Sequence, residues 1–176
     1  FPTRRSSDLS AEKSTEKSKN IEKNSELRYS LKPFAEQVDG ALDRKLPKGD
    51  SVLVSEHTPE WIIKAGFDDL PMLITQKHLR DINTPEETVG KGNYHGISRE
   101  KIKQLPIRLQ NPVMLFDSLT DSRSIVVVTD MLDDKGRPVV VAVRADGSGM
   151  YLGIDIKSNF VTSFYGKDGF ASFILK

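Results

Sequence analysis

Cysteine is absent from the 176 residues, which excludes disulfide scaffolds, thiolate metal sites and cysteine nucleophiles together. No apolar run approaches the 18 or more residues of a membrane-spanning helix. Charge of either sign is not in excess: 26 Lys and Arg face 25 Asp and Glu, a formal net of +1. The dense basic patch of a dedicated nucleic-acid binder is therefore missing. A mild gradient remains, with 12 basic and 9 acidic residues from Lys91 onward, which permits a polyanionic substrate without requiring one. Signature motifs are scarce as well. There is no H-E-x-x-H, the three histidines are not spaced with carboxylates as metal ligands, and no G-x-S-x-G elbow occurs. Gly147-Ser148-Gly149 and Gly90-Lys91-Gly92 do not follow the strand, glycine loop, helix order of a phosphate loop and read as plain turns. Neither a metal nor a cofactor is implied.

The chain opens on FPTRRSSDL, without an initiator Met, an apolar leader core or a small-residue cleavage site. Read back into codons as TTC CCT ACA CGA CGC TCT TCC GAT CT, it matches the end of a sequencing-library adapter. Residues 1–9 are accordingly expected to be adapter-derived, the rest being a piece of a longer polypeptide that also stops short at its C-terminus. Residues 10–27 are rich in Lys, Glu, Ser and Asn; such a segment buries too little to order itself and reads as a disordered charged linker. One domain is expected over 28–176.

Within it, Phe34, Val38 and Leu42 follow at helical spacing. SVLVS (51–55) reads as a strand, Thr58-Pro59 as a helix cap and start, Gly66 as a helix stop, and LPMLIT (70–75) as a second apolar run. QKHLRDI (76–82) reads as a turn or two of helix. Ser98 caps a helix whose Ile102, Leu105 and Leu109 share a face, with a break expected at Leu105 before Pro106. After Asn111-Pro112 the runs become β-branched and aromatic: VMLF, SIVVVTDML, RPVVVAVRA, MYLGIDI and NFVTSFY, with Asp133 to Gly136 as a hairpin turn and FASFILK as a closing strand. The predicted fold is α+β, with N-terminal helices packed on one face of a four- to five-stranded antiparallel meander.

The residues able to move protons are few. Lys77-His78 follows an apolar run, His95 stands in a Gly-rich loop before a helix, and Thr162, Ser163 and Tyr165 lie on a late strand. Strict alternation separates Thr162 from Ser163 and Tyr165 unless a bulge intervenes. His57 reads as a turn residue. Arg123, Arg137 and Arg144 read as solvated strand residues, any of which could meet a phosphate. Each candidate also has a plain reading as a solvated side chain.

The order of RYSLK (28–32), HTPEWIIKAGFDDLPMLITQKHL (57–79), HGISREKIKQLPIRLQNPVMLFDS (95–118), SIVVVTDMLDDKGRPVVVAV (124–143) and NFVTSFYGK (159–167) resembles the C-terminal domain of phage MuF-type and polyvalent proteins. Such domains are regarded as relatives of the barnase, EndoU, colicin and RelE group of metal-independent RNases. The resemblance implies a toxin module behind phage head-morphogenesis or polyvalent regions, with RNA as substrate, an immunity protein as a partner, no membrane, and action in the host cytoplasm. It places acid and base at His78 and His95, phosphate charge at Lys77, and a hydrogen bond to the scissile phosphate at Ser163 or Tyr165. The competing expectation is a non-catalytic module that binds a phage, host or immunity partner through its sheet. Convergence of His78, His95 and Lys77 on one concave face favours the enzyme; their scatter favours the binding module.

Overall fold

The computed structural model describes residues 32–90 and 94–169. The start expected to be adapter-derived, the expected linker over 10–27, Lys91-Gly92 and the expected closing strand FASFILK lie outside the described residues. From Phe34 onward the order is α1 (Phe34–Leu42), β1 (Ser51–Ser55), α2 (Glu60–Lys64), β2 (Met72–Thr75), α3 (Gln76–Asn83), α4 (Glu86–Val89), α5 (Arg99–Ile102), α6 (Leu105–Gln110), β3 (Met114–Asp117), β4 (Ser124–Leu132), β5 (Pro138–Tyr151) and β6 (Ile154–Gly166).

The strands form one six-stranded sheet in the order β1-β2-β6-β5-β4-β3. β3 to β6 make the expected meander, and β4 pairs antiparallel with β5 through Val127↔Val141 and Val128↔Val140. The expectation of four or five purely antiparallel strands is corrected at the other edge. There β1 and β2 pair with each other, and β2 joins β6 in parallel through Met72↔Asn159 and Leu73↔Phe160. The meander ends on β6, whose outer edge of N–H and C=O groups is partly covered by β2, with β1 added beyond it. MYLGIDI is also not a strand of its own. Leu152 (φ 49°) and Gly153 (φ 75°) form a two-residue turn with both central residues left-handed, so β5 runs to Tyr151 and β6 starts at Ile154.

The helices cover one face. Val38, Ala41, Ile62, Leu79, Ile82, Ile102, Leu105 and Leu109 pack with Val127, Val139, Val141, Val143, Val161 and Phe164 of the sheet. The break before Pro106 is present as a gap between α5 and α6, and Ser98 Oγ accepts from Lys101 N as the cap of α5. Thr58 is not the expected helix cap. Pro59 takes that place, while the Thr58 hydroxyl donates to Leu70 O at 2.7 Å and accepts from Asn159 Nδ2 at 2.8 Å. Asn159 is fully buried, and its amide, which also donates to Asp68 O at 3.0 Å, requires such partners. This polar knot ties β6 to the loops around α2.

Candidate functional site

α3 leaves the sheet directly from β2. The Thr75 hydroxyl accepts the His78 backbone N–H at 3.1 Å, capping the first turn and setting His78 beside β6, just past the last β2–β6 pair. Leu79 and Ile82 turn into the core, leaving His78 half-buried at its rim. Its Nε2 is buried and has no hydrogen-bond partner among the described residues. Burial pushes the His78 imidazole below its ordinary pKa, the positive charges of His95 and Lys77 push in the same direction, and Asp81 opposes them. Near neutral pH the ring is therefore uncharged, with a nitrogen lone pair free to take a proton.

A cleft of about 400 Å³ opens at this point, lined by Thr75, His78, Arg123, Arg144, Phe160 and Thr162, with Asp146, Gly147 and Ser148 along the β5 side. Two irregularities of the β5–β6 ladder shape it. The register passes from Ala142↔Ser163 to Val143↔Val161, which leaves Thr162 as the extra residue of a bulge in β6. Between Arg144↔Phe160 and Gly147↔Ser158 the extra residue is on β5, where Asp146 adopts φ 58°. Bulges re-aim side chains and break pairing next to sites, and both of these open into the cleft. Two guanidinium groups face the same space. Arg144 Nε lies 3.5 Å from Asp121 Oδ2, while the Arg123 side chain makes no ion pair among the described residues. The Asp121 carboxyl is held low mainly by the Arg123 backbone N–H and the Ser124 hydroxyl.

His95 is placed by the β4–β5 turn. Asp134 N donates to Gly96 O at 2.9 Å, and the Tyr94 hydroxyl donates to the Asp134 carboxylate, so both neighbours of His95 are clamped. Gly96 has φ 68°, and a Cβ there would strike Asp134 Oδ1, so glycine is required for the close approach. The Tyr94 hydroxyl is pushed up to about 12 by that bond. Ile97 then enters the core. The turn itself is held by buried Asp133, which accepts from Lys135 N at 3.0 Å, Arg137 N at 2.8 Å and Arg137 Nε at 2.6 Å.

Of the residues singled out from the sequence, His78 and His95 come close enough for the charge of one to bear on the other. Lys77 turns away: its ammonium pairs with Asp81 at 2.6 Å, its side chain is 81% exposed, and it lines a separate depression with Arg44, Lys48 and Arg80. Ser163 and Tyr165 stand opposite Ala142 and Val140, on the sheet face away from the helices, and do not line the cleft. Thr162 does, because of the bulge. In the sequence Arg123 and Arg144 read as solvated strand residues able to meet a phosphate, Ser148 reads as part of a plain turn, and Phe160 carries no signal of its own; nothing in linear spacing places β5 residues against the start of α3. The Gly-Ser-Gly segment is not a turn but part of β5, and two of its residues form one side of the cleft. His57 serves its turn, with Nδ1 3.1 Å from Asp69 Oδ2. Among the described residues no group of three or more His, Asp or Glu is placed to hold a metal ion, and no helix is long and apolar enough to cross a membrane.

The depressed imidazole has a consequence for stability. As pH falls, the unfolded chain protonates this histidine first, near its ordinary value of about 6.5, and the folded chain only lower. The contribution is complete above that pH and is lost as pH drops through the folded value. Thermal unfolding from pH 8 to pH 5 is expected to show a steeper loss for the unaltered chain than for His78→Gln; parallel curves would refute the assignment.

Residues 87–175, just over half of the chain, match the family model described as the Phage MuF-C-terminal domain. The match takes in His95, Arg123, Arg144, Phe160 and Thr162; His78 lies before it. No curated protein and no solved structure matches the chain.

Proposed function

The chain belongs to the phage MuF C-terminal domain family, and from that premise we propose that it is an endoribonuclease module that cleaves RNA by metal-independent transesterification. It would act as a toxin carried at the end of a phage or mobile-element polyprotein. The observation that carries this reading is the cleft in which a neutral, partly buried His78 faces Arg123, Arg144 and Thr162; His95 is not one of its lining residues but stands near enough for its charge to bear on His78. The kinship with metal-independent RNases that the sequence resemblance implies supports it.

The chemistry needs a base, an acid and a positive field. His78, neutral near pH 7, takes the proton of a ribose 2′-hydroxyl as the oxygen attacks the adjacent phosphorus. The bond from phosphorus to the 5′-oxygen breaks, and the leaving oxygen receives a proton from His95 as imidazolium. The products are a 2′,3′-cyclic phosphate and a free 5′-hydroxyl. The charge role expected of Lys77 passes to Arg144 and Arg123, whose planar donors match the equatorial phosphate oxygens. The hydrogen bond expected of Ser163 or Tyr165 passes to Thr162 and Ser148, which line the cleft. Arg144 is poised for this, since among the described residues its carboxylate partner, Asp121, is 3.5 Å away and partly exposed.

The test is incubation of the full chain with a labelled single-stranded RNA in excess EDTA. Cleavage with cyclic phosphate ends is expected, because side chains supply acid, base and charge. Intact RNA at enzyme excess, or activity that EDTA removes, would overturn the proposal.

A further inference from the structure

Phe160 has no part in the acid-base chemistry, yet it lines the same cleft. It is half-buried, and it is not a member of the helix-side core. The sequence makes room for it. A Cβ on Gly147 would come within 2.7 Å of Phe160 Cδ2, and one on Gly149 within 2.5 Å of Phe160 Cζ. The ring therefore lies down on β5 backbone where two side chains are missing, with Leu73 beside it on β2. Directly opposite Phe160 on β5 stands Arg144. Residues so paired project from the same face with Cβ atoms about 5 Å apart, so a braced aromatic ring and a half-exposed guanidinium are offered side by side.

That pairing fits one kind of ligand, a nucleotide, which presents a flat apolar base and an anionic phosphate at a short separation. We infer that the cleft contains a base-stacking subsite, in which one nucleobase of single-stranded RNA lies on the ring of Phe160 while its phosphate is held by Arg144 and Arg123. This rests on the ribonuclease reading for the identity of the polynucleotide. Stacking on an aromatic face tolerates every base, so the subsite supplies affinity and register without sequence preference. Gly147 and Gly149 act indirectly, by letting the ring lie flat; an alanine at either would lift it.

The experiment uses the full chain and a fluorescein-labelled 2′-O-methyl RNA pentamer, which has no 2′-hydroxyl to react, together with pentamers lacking one base at each position in turn. For the unaltered chain, loss of the base at one position is expected to weaken binding about tenfold or more by fluorescence anisotropy. For Phe160→Leu the intact pentamer should bind as weakly as that abasic one, with no further loss on removing the base. Phe160→Trp should restore the difference, which separates stacking from a general role in folding. Equal weakening of every pentamer by Phe160→Leu, or no position at which the base matters, would overturn the subsite. The two readings fail separately: base-dependent binding without cleavage of ordinary RNA removes the nuclease and keeps the subsite, and cleavage with base-independent binding does the reverse.

Discussion

His78→Ala is expected to lower the rate of RNA cleavage at least about a hundredfold, the usual effect of losing a positioned acid or base and equivalent to about 2.7 kcal/mol of transition-state stabilisation. His95→Ala should do the same. The double variant should be little worse than either single one, because groups that act in one proton circuit do not contribute additively. Folding should survive, since the His78 side chain makes no hydrogen bond through its buried Nε2 and sits at the rim of the core. Arg144→Ala should cost on the order of tenfold, with part returned by Arg144→Lys if charge alone matters. Lys77→Ala should have a small effect, because that ammonium is committed to Asp81 and faces another depression. His57→Ala is the control, its ring being 78% exposed and bonded to Asp69. A single-turnover rate for His78→Ala within about threefold of the unaltered chain would remove His78 from the chemistry.

Asp133→Ala is expected to be the most damaging change at a position outside the cleft. Its carboxylate is fully buried and holds three donors of the β4–β5 turn: two backbone N–H groups and the Arg137 guanidinium. Removing it leaves those N–H groups unsatisfied and leaves Arg137, only 20% exposed, with Asp168 as its remaining partner. Loss of one member of a buried pair costs about 3 kcal/mol or more, to be read from urea unfolding. Asp133→Asn, which keeps an acceptor for the backbone donors, should lose roughly half as much. Cleavage should suffer as well, even under conditions where the variant stays folded. The turn positions Asp134, and Asp134 clamps Tyr94 and Gly96 on either side of His95. A loss below about 1 kcal/mol would show that the turn is held by other means.

Much of the β half could be read without a structure. β4 and β5 are nearly continuous in Val and flank an Asp-Asp-Lys-Gly turn, and such runs declare a buried hairpin by composition alone. Helices are declared by period and caps, and α1, α3 and the Pro106 break stand where spacing places them. His78 and His95 stand out as candidates for a simpler reason, since few side chains titrate near neutral pH and this chain has three histidines.

Three features depended on tertiary structure. The parallel pairing of β2 with β6 joins residues more than 80 positions apart, and local periodicity carries no signal for a contact of that range. The bulges at Thr162 and Asp146 were equally hidden, because a one-residue insertion in a ladder leaves no mark on either strand's sequence until the partner's register is known. They help determine which late-strand side chains reach the cleft: Thr162 lines it, whereas Ser163 and Tyr165, opposite Ala142 and Val140, stand farther along β6. Finally, Gly147 and Gly149 look like turn residues in the sequence, but in the fold they are strand positions emptied for the ring of Phe160. Sequence alone determined most of the elements, the central hairpin and which side chains can titrate near neutral pH. The cleft that joins His78 to Arg144 and Phe160 arises only when the edge of β6 meets the start of α3, a contact made by packing and not by neighbours along the chain.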